Sequence, residues 1–486
     1  MPDGTALNPI DTRHLLRRTG FGATQAQVDD LATTTRGVAV TQLLSFKPSG
    51  FRPGGRDHRT AHNKWVKYML TTKHPLQEKL VLFWHDHFST GISKVQNVKL
   101  VGSQNRLLRL NCKGSFEILM KAINKDPAMI EYLDTVRNGK EIPNENYARE
   151  VQELFTLGVK DVNGINNYTQ EDIVQIARAF TGWGYDKGVA TFDPNNHDSK
   201  EEFDGDPGPD RGPKVIYKTC GGFGPGGMDY AAGGEGEMEI DAIIDIILQH
   251  KDTDGKNTVA RRIARRLCEY FAHPDPDQTF VDDVVAFSGF DTNWDIAGLL
   301  HQIFVHDAFY DTAIPGGTKR SIRWPIDYVV SSLRLLKVKP KGGDFFVDGF
   351  DYSNLFDQLT NMGQTLFDPP SVFGWDWETN WISSSTLLAR YGFARSVIQA
   401  RSGGGGSLRT EKLFDLGMSD PGDIVDAVSG LLGVKDYLSV AERDILKDYL
   451  TNNNTVAPDL NDYAYRNRKL HGLIALVMQS PAYQLH

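Results

Sequence analysis

PNENYAREVQELFTLGV, from Pro143 to Val159, is the stretch whose reading decides the fold class. Asn144 is a favourable N-cap, and Glu145 places a carboxylate in the first turn, where the positive end of the helix dipole favours it. Gly158 is a natural stop. The stretch therefore predicts a helix from Asn144 to Leu157. Tyr147, Val151, Leu154 and Phe155 fall on one side of it, while Asn146, Arg149, Glu150 and Glu153 recur at spacings of three and four on another. Two carboxylates one turn apart can share a proton, hold a cation or work as an acid and base, with Arg149 stabilising their charged forms. The plain alternative is a solvated face carrying an Arg149 to Glu153 ion pair.

The same helical pattern extends in both directions. Thr12 to Thr19 reads as a short helix ended by Gly20, and Gln25 to Leu44 continues after an N-cap at Thr24. His62 to Phe88 forms the next long unit, with Pro75 where a first turn tolerates it and Leu80 to Trp84 apolar almost all round. Phe116 to Ile123, Pro127 to Leu133 and Gln170 to Phe180 follow, the last capped by Thr169. Beyond Gly182 the character changes for some 50 residues, dense in Gly, Pro and Asp, where only Val189 to Phe192 and Val215 to Tyr217 read as strands. An irregular region of that length, 182–237, is a mark of function or of partial disorder. Helices are expected again at Met238 to Gln249, Thr258 to Phe271, Asp277 to Ser288, Asp295 to His306 and Pro325 to Leu336. A second irregular patch, Asp368 to Asn380, is rich in tryptophan. SGGGGS at Ser402 to Ser407 is a flexible linker by composition. The chain thus reads as mainly α, with a helical domain over 1–400 that includes the irregular insertion, and a C-terminal helical segment, 408–486, packed on it.

With 486 residues, 40% of them hydrophobic, core size does not limit stability. The net charge of −9 and the scatter of basic residues argue against a nucleic-acid surface. The one basic run, Arg261, Arg262, Arg265 and Arg266, sits at helical spacing and reads as a solvated face. Three cysteines without C-x-x-C spacing speak against a disulfide framework or a zinc–thiolate site. The N-terminus has no apolar h-region and no window of 18 apolar residues occurs, so neither a signal peptide nor a membrane span is expected. G-x-S-x-G, the P-loop pattern and H-E-x-x-H are all missing.

Three further groups carry potential chemistry. Trp84, His85, Asp86 and His87 end a buried helix; histidines two apart meet one metal only if that helix loosens at Trp84, and otherwise one faces the core. His197 beside Asp198 suits acid and base work or an oxygen-rich cation site. DTDGKN at Asp252 to Asn257 matches the opening of an EF-hand loop, but Ile263 stands where the bidentate acid belongs, so it reads as a turn before a helix. Trp84, Trp183 and Trp375 supply rings that could stack on a sugar, or fill the core.

HLLRRTGFG at His14 to Gly22, FWHDHF at Phe83 to Phe88, the Pro143 to Val159 stretch, YTQEDIVQIARAFTGW at Tyr168 to Trp183 and SPAYQ at Ser480 to Gln484 together resemble the large bacterial family designated domain of unknown function 1800. The resemblance runs over nearly the whole chain and takes in ARRIARRLCEYF and MGQTLFDPPSVFGW. Many members look exported and often sit beside sulfatase-like proteins, which implies work on an extracellular polymer such as a sulfated polysaccharide. The stretch between Ser199 and Gly233 is longer than the family's pattern.

These readings lead to three expectations. The first is a hydrolase of a polysaccharide, a glycoside hydrolase by class, drawing its acid and base from Glu150, Glu153, Asp198 and His87. Asn146, Arg149, Trp84, Trp183, His197 and Trp375 would bind the substrate. The second is a metal-dependent enzyme in which His85 or His87 joins Glu150 and Glu153 around a divalent ion. The third is a polymer-binding or assembly protein without catalysis. Carboxylates on adjacent turns of one helix are too close to flank a bond from both sides, so a second acid from another element is expected.

Overall fold

The computed structural model describes residues 2–198, 214–233, 236–311, 320–338, 346–347, 350–351, 354–399 and 408–485. The chain is mainly α-helical, and the strands among those residues form three separate two-stranded antiparallel pairs. The linker-like SGGGGS lies outside the described residues.

Helices begin where a side chain can satisfy the free N–H groups of a first turn. Asn8 accepts from Ile10 and Asp11 ahead of Pro9–Arg18, and Thr24 and Thr169 form capping boxes ahead of Gln25–Leu31 and Gln170–Ala179. The run expected from Gln25 to Leu44 is two helices, because Thr35 takes extended backbone and caps a fresh start at Arg36–Leu44. The unit from His62 to Phe88 likewise divides into His58–Thr71 and Pro75–His87; Pro75, lacking an N–H, opens the second at its first position. This second segment is called the histidine helix below. Val98–Asn111 has no counterpart in the sequence reading, since polar Gln104, Asn105 and Arg109 are buried beside Leu100, Val101 and Leu108 and break the apolar stripe.

The strand at Val189–Phe192 pairs with Trp183–Asp186. Their turn, Lys187 and Gly188, has φ of 50° and 83°, the left-handed pair that matches the twist of a tight hairpin. Val215–Ile216 pairs with Met228–Asp229.

Leu80 to Trp84 of the histidine helix are fully buried, so this helix runs through the core. Packed around it are Glu145–Glu150, which continues as a π-helix over Val151–Thr156 (together the carboxylate helix), and Thr258–Phe271 (the arginine helix). Further along, Ser384–Ile398 packs on His471–Gln479, and buried Arg390 donates to Gln484 Oε1 at 3.0 Å. No helix among the described residues is long and apolar enough to cross a membrane.

Candidate functional site

The carboxylate helix starts as its sequence dictates, with the Asn144 side chain accepting the Asn146 N–H. Tyr147, Val151 and Phe155 are buried, and Asn146, Arg149, Glu150 and Glu153 are half-buried on the other face. Arg149 pairs with Glu145 at 3.2 Å, not with Glu153. After Glu150 the helix widens to the π form. The Thr156 hydroxyl donates to Val151 O at 2.5 Å, and the Leu157 and Gly158 N–H groups both bond to Gln152 O. Such wide turns recur where a helix must re-aim side chains at a site. Here the wide turn is held from outside: Arg262 Nη2 donates to Glu153 O at 2.9 Å and to Leu154 O at 3.4 Å. Gly158, at φ +78°, is required there, because a Cβ would lie 2.6 Å from Arg262 Nη1.

The two glutamates differ in their surroundings. Glu153 accepts a hydrogen bond from the Tyr168 hydroxyl at 3.2 Å. Glu150 has no hydrogen-bond partner among the described residues. Burial, followed by the neighbouring Glu153 charge, raises its pKa, with Arg149 opposing. Arg262 is lowered to about 10 by burial, yet it remains a cation beneath the face.

His85 and His87 are each tied to the main chain through Nε2. His85 Nε2 accepts the Phe367 N–H at 3.1 Å, and burial pushes its pKa down to about 3. His87 Nε2 donates to Phe155 O at 3.1 Å, and burial lowers that ring well below its usual range. The helix runs through Trp84 and His85 without loosening, so the spacing of two sends the imidazoles to different sides. The expected site of His85 or His87 with Glu150 and Glu153 is not formed, since among the described residues no group of three or more His, Cys, Asp or Glu side chains could hold a metal ion.

The other expected residues have structural partners. Asp198 makes a two-point ion pair with buried Arg178, at 2.9 and 3.2 Å. Buried His197 donates from Nδ1 to Thr181 O and stands 3.3 Å from Glu239, which Lys214 also binds. Trp84, Trp183 and Trp375 are only 0%, 4% and 3% exposed, so no sugar can stack on them. Trp84 donates to Cys112 O, and Trp375 packs between His85 and Trp324. Asn146 donates to Leu133 O at 3.3 Å, tying the carboxylate helix to the end of Pro127–Tyr132.

The arginine run is not a solvated face. Arg261 is buried in a cage of Asp252, Asp254 and Asp282, each within 2.8 Å, which makes DTDGKN a charged turn before the helix. Arg265 donates to Pro276 O and Gln278. Arg266 lies over the Trp377 ring at 4.3 Å and 3.5 Å from Asp86 Oδ2. Asp86 is fully buried; burial pushes its carboxyl up to about 6 even though it accepts the Trp375 N–H and the Trp377 indole N–H. One signal was open to sequence reading: four arginines on one helix with a single acid, Glu269, among them must find their counter-charges on other elements.

Four segments that carry the family resemblance thus meet around one strip. Asp86 touches the 375–377 tract and Arg266, His85 touches Phe367, and His87 and Arg262 both reach the π-helix. A separate open cleft of about 1020 Å³, lined in part by Phe223, Asp245, Arg261, Asp282 and Trp294, contains none of the expected site residues. The charged strip has the stronger claim, because it holds a half-buried acid with unused bonding capacity. The model of the family described as "Protein of unknown function (DUF1800)" matches residues 14–485. No curated protein and no solved structure matches the chain.

Proposed function

This chain belongs to the DUF1800 family, and we propose that it is a hydrolase of a polysaccharide in which Glu150 is the general acid. The observation that carries this reading is the position of Glu150: half-buried, free of hydrogen-bond partners among the described residues, and beside the negative charge of Glu153. A carboxyl so placed keeps its proton to higher pH than an exposed one does and can deliver it to a leaving oxygen. Glu153, oriented by the Tyr168 hydroxyl, holds that proton in place by its charge, and Arg149, held at the rim by Glu145 and Gln170, adds positive charge where substrate hydroxyls or sulfates would approach. An exported setting is what the family resemblance implies for such a substrate.

The test is a panel of neutral and sulfated polysaccharides, assayed for new reducing ends with the full chain, with and without a chelator. Release of ends by the wild type in both arms and its loss in Glu150→Gln supports the reading. Hydrolysis that disappears with chelator, or an active Glu150→Gln variant, overturns it.

A further inference from the structure

A bond is hydrolysed between an acid and a base that approach it from different directions, and Glu150 and Glu153 stand on one helix. We infer that Asp368 is the second carboxylate of this site, placed across the Tyr132 hydroxyl from Glu150; the inference rests on the hydrolase reading above.

The placement follows from anchors on three elements. Asn146 fixes the carboxylate helix to Leu133 O, next to Tyr132, and Glu150, four residues on, lies on the same side of that helix. Tyr132 is only 9% exposed, and its hydroxyl has no hydrogen-bond partner among the described residues. Asp368 and Tyr132 both approach Gly91: a Cβ on that glycine would lie 3.2 Å from Asp368 Oδ1 and 3.3 Å from Tyr132 Cε2. Both charges reach the phenol, whose pKa is raised by burial first, then by Asp368, then by Glu150. The aspartate is held for this position. Its Oδ1 accepts the Ser93 N–H at 3.0 Å, while no described group bonds Oδ2. Phe367 just before it has φ of 69°, an unfavourable left-handed backbone for a bulky residue, and is pinned on both sides, with its N–H on His85 and its carbonyl accepting from Ile92. A phenol with an unused hydroxyl, within the influence of two carboxylates on separate elements, suits a sugar ring, which offers hydroxyls to all three.

The reaction balances with water as the only co-reactant. Glu150 gives its proton to the leaving oxygen as the bond from that oxygen to the acetal carbon breaks. Asp368 Oδ2 takes a proton from the water whose oxygen forms the new bond to that carbon. Exchange with solvent then restores both carboxyls. Tyr132 donates to a substrate hydroxyl and orients the ring.

Two measurements test this on the full chain. The first needs no substrate: 3-fluorotyrosine at position 132 is titrated by fluorine NMR in wild type, Asp368→Asn and Glu150→Gln. Asparagine keeps the bond to the Ser93 N–H, so the loop is retained. Each variant is expected to lower the titration midpoint by about 0.3 units or more, the effect of removing one nearby charge. An unchanged midpoint in Asp368→Asn overturns the inference and leaves Glu150 untouched. The second is kcat/KM against pH on the substrate found above. Asp368→Asn is expected to lose about 10²–10⁴-fold and to lose the acidic limb, as removal of a general base does. A variant that keeps wild-type rate and both limbs, beside an inactive Glu150→Gln, overturns the inference alone. A moved NMR midpoint in a wild type that hydrolyses nothing overturns the hydrolase reading and Asp368's role as base with it.

Discussion

Asp126 offers a test of the scaffold beneath the site, because it caps the helix that ends in Tyr132. All three of its hydrogen bonds converge on Oδ1, from Gln104 Nε2 at 2.9 Å, Ala128 N–H at 3.0 Å and Met129 N–H at 3.1 Å. Despite these donors, complete burial pushes the carboxyl from 3.8 up to about 7. The folded state therefore binds this proton more tightly than the unfolded chain does. Below the unfolded value both states are protonated and nothing is lost; as pH rises toward the folded value, unfolding releases a proton and stability falls. Close to three units at 1.36 kcal/mol each puts the loss at ~4 kcal/mol above neutral pH. In Asp126→Asn the carbonyl oxygen keeps all three bonds and the charge is gone, while an amide with no assured acceptor costs ~1–3 kcal/mol. The variant should thus be no more stable than wild type at pH 4.5 and more stable by ~1–3 kcal/mol at pH 8. Urea unfolding at half-unit steps between those values measures the difference directly. Thermal midpoints would move by only about 1 °C per kcal/mol for a chain this long melting as one unit. A difference between variant and wild type that is flat with pH, or that grows toward acid, refutes the assignment.

Other outcomes follow from the site's geometry. Glu153→Gln removes the charge that helps hold Glu150's proton, so the alkaline limb of the hydrolytic pH profile should move to lower pH; a limb that stays or moves upward contradicts the pairing. Arg262→Ala leaves the Glu153 and Leu154 carbonyls unpaired and should destabilise the fold by ~1–3 kcal/mol in denaturant unfolding. Gly158→Ala meets Arg262 Nη1 at 2.6 Å from a left-handed backbone and should cost more than ~1 kcal/mol, a cost that shrinks in the Arg262→Ala background; equal costs in both backgrounds rule out the clash. Gly91→Ala crowds Asp368 and Tyr132 at 3.2 and 3.3 Å, so it should lower kcat with little change in unfolding midpoint, and unimpaired hydrolysis would show that neither group needs its present position.

What could be read in advance depends on how far each determinant lies along the chain. Helix starts at Asn144, Thr24 and Thr169 were legible because a cap and its N–H lie within three residues of each other. The polar face of the carboxylate helix was legible for the same reason. Its wide π turn was not, since its brace, Arg262, comes from a helix about a hundred residues away. The arginine run looked solvated because its own helix holds few acids; Asp252, Asp254, Asp282 and Asp86 neutralise it from elsewhere, and sequence spacing carries no record of that. Trp84, Trp183 and Trp375 failed as stacking surfaces on the same grounds, since burial is decided by what packs above a ring.

The distances also bear on which partners Glu150 has within reach. Asp198 places both carboxylate oxygens on Arg178, and His87 commits Nε2 to Phe155 O. A residue free to act must have capacity left after the fold has taken its share. Among the described residues, Glu150, Tyr132 and Asp368 Oδ2 retain such capacity, and three backbone constraints place them together: Asn146 on Leu133 O, Ser93 N–H on Asp368, and glycine at position 91. These groups can bond a ligand without breaking a contact that the fold already uses. That unused capacity is the physical reason for placing the chemistry of this chain there rather than in its open cleft.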